Sequence, residues 1–209
     1  MERNYDALPI RELGAGAGFR RPTQSEAAAR VTPESPAMQV MTDLMRVSPA
    51  TIRPQAPLVG ANQFMITRGV RLLLVVDEQH DTILGVITAS DILGERLMQV
   101  AMSRGLSSAE LTVADVMTPA SQVEVVALAD VLGARVGHVL ETLRRAGRQH
   151  ALVVDHDTLP PAGILERPTQ RTMVRGIFSI SQIARQLGVA LPAGAEVART
   201  FSEIETALR

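Results

Sequence analysis

The chain has 209 residues and a formal net charge of −1, and its 46% hydrophobic and 21% charged content is typical of a globular protein. Cysteine is absent and all 21 Lys+Arg residues are arginines, which excludes a disulfide framework, a cysteine nucleophile and a catalytic or phosphate-loop lysine. The near-neutral charge argues against a nucleic-acid binder, no apolar run reaches the length of a membrane span, and the first residues lack a signal-peptide pattern. We therefore expect a cytoplasmic protein with neither a nucleic-acid nor a membrane partner.

Residues 1–36 differ from the rest of the chain. Glycines alternate with alanines over residues 14–18, and Pro22, Pro33 and Pro36 follow. The glycines superficially resemble a dinucleotide-binding loop, but no apolar strand precedes them and their spacing is wrong. The segment lacks hydrophobic periodicity, so we predict a flexible N-terminal arm over 1–36.

From residue 37 onward the sequence repeats itself. Each copy has a leading methionine, Met45 or Met117, then a short strand, a helical stretch and an apolar strand that ends in Val-Val-Asp. The copies are offset by 72 residues at the methionine and by 78 at the Val-Val-Asp. This agreement in order predicts two motifs, 37–103 and 104–190, followed by a helical tail over 191–209.

In the first copy, residues 58–68 are predicted to form a helix. The continuous apolar run of 72–76 is typical of a strand buried on both faces. A polar turn leads to a second strand over 83–88, which predicts a hairpin. An apolar stripe follows at Leu93, Leu97 and Val100 and predicts another helix.

In the second copy, apolar residues at helical spacing predict a helix over 136–146, and a strand follows over 151–154. Residues 156–172 contain three prolines and replace the short turn of the first copy. We predict a long, mobile loop there. In the tail, helix-spaced apolar residues stand at Val197, Phe201, Ile204 and Leu208.

This repeat resembles the CBS domain, and the tandem resembles a stand-alone, bacterial-type CBS pair, or Bateman module. The resemblance depends on the leading methionines, the Val-Val-Asp strand ends and the Gly-x-x-Thr/Ser sequences that end the last strands. It implies an α/β (α+β) fold of two β-α-β-β-α motifs related by pseudo-two-fold symmetry. Each motif would hold a small three-stranded sheet packed by helices.

The resemblance also implies a function. CBS pairs are regulatory, non-enzymatic modules that bind AMP, ADP, ATP or S-adenosylmethionine in the clefts between the motifs, with no cofactor required. They commonly form homodimers through their helices and act on a client protein. The alternative is a ligand-free structural module that dimerises and docks a partner. We expect no enzyme and no metal site, because neither a Gly-x-Ser-x-Gly elbow nor a compact metal motif is present.

The family's ligand signature, Gly-x-x-Thr/Ser-x-x-Asp, matches Gly85, Thr88 and Asp91. The resemblance assigns the hydroxyl to ligand phosphate or sugar and the carboxylate to the ribose hydroxyls. A carboxylate is suited to this task because it accepts hydrogen bonds from both hydroxyls of a diol. The same residues are close to a helix capping box, which is the structural alternative.

The second copy departs from the signature, because Ser179 is followed by Gln182, whose amide is uncharged and offers one acceptor oxygen. Capping is therefore favoured here and we expect a weak second site, although Ser179 is a candidate phosphate or sugar contact. Arg71 and His150 stand just before the central strands and are candidate phosphate contacts. The alternative is a solvated charge at Arg71 and a structural role for His150.

Overall fold

The computed structural model describes residues 31–77, 82–159, 169–189 and 197–207. The strands are β1 (Thr42–Asp43), β2 (Thr51–Ile52), β3 (Leu72–Val76), β4 (Ile83–Thr88), β5 (Thr118–Pro119), β6 (Val125–Ala127), β7 (His150–Leu159) and β8 (Thr169–Ser179). The helices are α1 (Leu58–Arg68), α2 (Ala89–Leu93), α3 (Glu95–Arg104), α4 (Val113–Val116), α5 (Leu128–Leu132), α6 (Val136–Ala146), α7 (Ile180–Leu187) and α8 (Val197–Ala207).

The strands form two four-stranded sheets, in the orders β2-β3-β4-β5 and β1-β8-β7-β6. In each sheet one neighbouring pair is parallel, β2 with β3 and β6 with β7, and the others are antiparallel. The prediction of three-stranded sheets is wrong, because each repeat lends a two-residue strand to the sheet of the other. Strand β5 pairs with β4, and β1 pairs with β8. Two residues carry no periodicity, so the sequence gives no signal for this exchange.

The exchanged strands correct the alignment of the repeats. Both begin at the threonine of the same tripeptide, Val-Met-Thr at 40–42 and 116–118, so the counterpart of Met117 is Met41, at an offset of 76 residues. Met41 is 7% exposed, whereas Met45, which the sequence had paired with Met117, is 78% exposed. Buried Met41 packs against Gly176 of the opposite repeat.

The principal helices and strands of both repeats are confirmed. Helices α1 and α6 have the predicted bounds, and each ends at a glycine with positive φ, Gly69 and Gly147, a conformation that costs other residues free energy. Strands β3 and β4 also have the predicted bounds, and all of β3 is buried. The helix predicted after Thr88 is divided at Gly94 into α2 and α3.

The prediction of a loop over 156–172 is wrong at both ends of that range, which are strands. Strands β7 and β8 form a long antiparallel hairpin in which His156 lies opposite Thr172 and Leu159 opposite Thr169. These arms are polar and exposed, so the sequence lacks the alternation of apolar and polar residues that predicts a strand. Residues 160–168, the rest of the predicted loop, lie outside the described part of the chain.

Residues 1–30 of the predicted arm also lie outside the described residues. The end of that arm, residues 31–36, lies against the start of α6. There Val136 donates its amide to the carbonyl of Ser35 at 2.9 Å, and Gly137 donates to Pro33 at 2.8 Å.

The core is aliphatic, as the composition requires, and one cluster joins the two sheets. Leu72, Leu74 and Val86 of the first sheet pack with Leu152 of the second. Helix α8 adds buried Phe201 and Ile204 to the core of the second repeat, where they join the buried side chains of α6 and α7. The tail is therefore helical over 197–207 and packs on the second repeat.

An ion pair also joins the repeats at the exchanged strand β1. Arg175 of β8 donates to both carboxylate oxygens of Asp43, with Nη2 to Oδ2 at 3.1 Å. This pairing, with the amide of Met45 as a further donor, lowers the pKa of Asp43.

Candidate ligand-binding site

Cavity A lies where the first repeat meets the second and has a volume of about 400 Å³. The β4–α2 junction contributes Thr88 and Asp91, and the second repeat contributes residues 123–126 and 146–152. Its apolar wall comes from both repeats and includes Leu72, Val86, Val125, Val126 and Leu152. The arrangement puts the carboxylate of Asp91 beside an aliphatic surface large enough for a planar base.

The structure confirms a capping box at Thr88 and Asp91. Asp91 Oδ2 accepts hydrogen bonds from the amide of Thr88 at 2.8 Å and from its hydroxyl at 2.7 Å. The hydroxyl in turn accepts from the amide of Asp91 at 3.3 Å. These bonds start α2 and fix the carboxylate at the edge of cavity A.

Arg96 of α3 was not anticipated from the sequence, and it ties this carboxylate to the second repeat. Its Nη1 donates to Asp91 Oδ1 at 3.3 Å and to the hydroxyl of Thr118 at 3.0 Å, while Nη2 donates to the carbonyl of Met117 at 2.9 Å. A carboxylate accepts about four hydrogen bonds. Asp91 Oδ1, which holds only the longest of these contacts, therefore retains the capacity to accept from a ligand.

A second capping box with an arginine partner lies outside the cavities. Asp115 Oδ2 accepts from the amide and the hydroxyl of Thr112, both at 2.8 Å, and Arg104 pairs with Asp115 Oδ1. Asp115 lines neither of the cavities described here. A Thr-x-x-Asp capping box with an arginine partner therefore also occurs outside these cavities. Asp91 differs from Asp115 because it lines cavity A.

Gly85, the remaining member of the signature, does not line cavity A. It lies opposite Pro119 in the pairing of β4 with β5. A Cβ atom at Gly85 would lie 2.3 Å from the carbonyl oxygen of Thr118. The absence of a side chain at this position therefore allows the exchanged strand to approach.

Cavity B, of about 300 Å³, collects the other candidate residues. Ser179 and Gln182 of the second repeat line it together with Arg71 of the first, and His150 lines both cavities. The two repeats therefore contribute to each cavity. The structure separates Thr88 and Asp91 from Arg71, although all three come from the first repeat.

The expected cap in the second repeat is wrong. Among the described residues no side chain caps α7 at Ser179, whose hydroxyl instead lies 3.0 Å from that of Ser181. Gln182 Oε1 accepts from the hydroxyl of Thr42 on the exchanged strand β1, at 2.9 Å. The hydroxyl of Ser179 is therefore not held in a helix cap.

His150 is half-buried between the cavities. Burial, and secondarily the positive charge of Arg71, lower its pKa to about 4. His150 is consequently neutral near pH 7 and contributes a hydrogen-bonding group rather than a charge.

The described part of the chain holds no group of three His, Asp or Glu residues placed to bind a metal ion. Within the same residues, none of the helices has the length and apolar character needed to cross a membrane.

Comparison with known proteins gives a family match within the first repeat. The family model of the CBS domain matches residues 40–97, and a comparison with curated proteins gives no match. A conserved protein from Pyrococcus horikoshii is similar in structure, with 18% identity, coverage of 78% of this chain and 100% of its own, and a TM-score of 0.51.

Two further structures resemble the chain less closely in TM-score. A CBS domain pair in complex with 5′-methylthioadenosine and S-adenosyl-L-methionine is 21% identical, covers 75% of this chain and 98% of its own, and has a TM-score of 0.47. CBSX2 in complex with AMP is 19% identical, covers 72% of this chain and 94% of its own, and has a TM-score of 0.45.

The matched residues begin at the Val-Met-Thr tripeptide of the first repeat and end in α3. The second repeat follows with the same tripeptide and the same order of strands and helices. The first repeat therefore matches the CBS domain, and the second repeat shares its order of strands and helices.

Proposed function

We propose that the chain is a regulatory, non-enzymatic module that binds an adenosyl ligand in cavity A, between repeats that span 37–103 and 104–190. The observation that carries this proposal is the presence of Asp91 and an aliphatic wall in one cavity of about 400 Å³ formed by both repeats. A ligand held there contacts both halves of the chain. Its binding therefore favours one arrangement of the repeats, which is how such a module would signal to a client protein.

Each part of the ligand has a counterpart in the cavity. The ribose diol donates to Asp91 Oδ1, in competition with the 3.3 Å contact from Arg96. The adenine packs against the aliphatic wall. Arg148, which also lines cavity A, supplies a positive charge for a phosphate or another anionic group.

The test compares Asp91→Ala with Asp115→Ala. Both substitutions remove a capping box and an arginine partner, so both should lower the free energy of unfolding by about 1 kcal/mol. Loss of a hydrogen bond to a charged group costs about 1.5–3 kcal/mol, so Asp91→Ala should weaken ligand binding about tenfold or more. Asp115→Ala should leave the affinity unchanged. Calorimetry with AMP, ADP, ATP and S-adenosylmethionine measures both effects.

Asp91→Asn keeps the shape of the side chain and one acceptor oxygen, and should give an intermediate affinity. Equal affinities of wild type and folded Asp91→Ala for the ligand that binds would overturn the ribose assignment. Incubation of the chain with ATP and analysis of the products tests the absence of catalysis.

A second candidate is the interaction module, which is favoured by an exposed apolar face on the first repeat. The large exposed side chains of α1, α2 and α3 are Val59, Ile66, Leu93, Met98 and Met102, each at least 65% exposed. The corresponding helices of the second repeat, α6 and α7, are packed by α8. We propose that a second copy of the chain covers the face of the first repeat in a homodimer.

Sedimentation equilibrium tests this association. Wild type should sediment as a dimer, and Ile66→Glu should shift it toward monomer because it places a charge in the apolar face. Val47→Glu is the control, since Val47 is 56% exposed but lies outside these helices. A wild-type monomer at every accessible concentration would contradict the dimer. A dimer that binds none of the adenosyl compounds would identify the chain as an interaction module.

A further inference from the structure

The charges around cavity B differ from those around cavity A. Arg68, Arg71 and Arg185 line cavity B together with His150, and no acidic residue is among its described lining residues. Cavity A, in contrast, is lined by Asp91 and Glu124 as well as by Arg148. Cavity B therefore presents positive charge with no carboxylate to balance it or to accept from a ribose.

These three arginines are unusual in this chain. Most described arginines lie within 4.0 Å of a carboxylate, namely Arg46, Arg96, Arg104, Arg135, Arg144, Arg145, Arg148 and Arg175. Arg68, Arg71 and Arg185 have no ion-pair partner among the described residues, and all three lie at the same cavity. Three arginines without acidic partners thus line one cavity, whereas Arg171, which also has none among the described residues, is exposed on β8.

Arg71 supplies a second, independent observation. Its Nε atom is buried and has no hydrogen-bond partner among the described residues. An unmade hydrogen bond to a buried charged group is costly, so a ligand that accepts from it gains free energy. The positive charge of Arg71 also contributes, after burial, to the lowered pKa of His150, which lines the same cavity.

Hydroxyl groups complete the cavity. Ser179 and Ser181 line it, and the start of the eight-residue helix α7 carries no side-chain cap within the described residues. Gln182 stands where the first repeat has Asp91, so the negative charge that would repel an anion is absent. Forked guanidinium donors with nearby hydroxyls are the groups that bind phosphate in proteins.

We propose that cavity B binds an oligophosphate anion through Arg68, Arg71 and Arg185, without recognition of a ribose. The shared chemistry has two sources, a free inorganic phosphate chain and the phosphate tail of a nucleotide. This site is separate from the adenosyl site proposed for cavity A, so either proposal can fail alone.

Calorimetry with inorganic triphosphate on the full chain tests the proposal. Wild type should bind triphosphate, and the affinity should fall as sodium chloride is raised. Arg71→Gln and Arg185→Gln should each weaken binding about tenfold or more. Gln182→Asp should also weaken it, because it adds a negative charge to the cavity. Arg185 is exposed, so its variant keeps the test available if Arg71→Gln fails to fold.

Arg171→Gln is the matched control. Arg171 is exposed, has no ion-pair partner among the described residues and does not line cavity B, so its loss should leave the affinity unchanged. Asp91→Ala should also leave triphosphate binding intact, and in that variant ATP and triphosphate should bind equally well. Absence of triphosphate binding, equal losses for Arg171→Gln and Arg185→Gln, or binding of ATP without binding of triphosphate would each overturn the proposal.

Discussion

Gly85→Ala should lower the free energy of unfolding by about 3 kcal/mol, the upper end of the usual cost of overpacking. The new methyl group would lie 2.3 Å from the backbone carbonyl oxygen of Thr118, and the two residues belong to strands that pair in the sheet. The strain is relieved only if β5 moves away from β4, which separates the repeats at one of their two exchanged strands. Chemical denaturation, monitored by circular dichroism, measures the loss.

Gly176→Ala is the control, because Gly176 is the counterpart of Gly85 at the other exchanged strand. A Cβ atom there would lie 2.4 Å from Sδ of Met41, the end of a flexible side chain that has other rotamers. We expect a loss of about 1 kcal/mol. Equal stabilities of wild type and Gly85→Ala would contradict the close packing of β5 on β4.

Stability should depend on pH through His150. The pKa is about 4 in the folded chain and near 6.5 in the unfolded chain, so the unfolded state binds the proton first as the pH falls. The contribution of His150 to the free energy of unfolding is therefore complete above pH 6.5. It falls by about 2 to 3 kcal/mol on acidification toward pH 4. The difference in free energy of unfolding between wild type and His150→Gln, measured from pH 7 to pH 4, isolates this contribution.

His156→Gln is the matched control, since His156 is exposed on β7. This variant measures the effect of losing an imidazole at an exposed position, against which the His150→Gln result is compared. A constant difference for His150→Gln would show that the folded environment does not disfavour the charged imidazole.

Much of the fold follows from local sequence signals. The buried run of β3, the helix stripe of α6 and the glycine at its end are all contained within single elements, so periodicity and capping preferences predict them. The repeat predicts the order of the elements, and the residue types at Thr88 and Asp91 predict the capping box that begins α2. These are properties of neighbouring residues.

Contacts between distant segments were not predictable in this way. The pairing of β1 and β5 with the opposite repeats depends on only two residues each, and without that pairing the sequence matches Met45 rather than Met41 to Met117. Arg96 reaches Asp91 and Thr118 through the tertiary fold. The gathering of Arg68, Arg71 and Arg185 around one cavity requires three elements to meet, and the sequence gives no sign of it.

Nuclear magnetic resonance of methyl groups during titration with the adenosyl compound that binds tests the central claim most directly. The account predicts shifts at Leu72, Val86, Val125, Val126 and Leu152, the aliphatic wall of cavity A. Methyl groups in the core that packs on the first sheet, such as those of Leu58 and Val113, should stay unchanged. Shifts that leave the wall of cavity A unaffected would contradict the account.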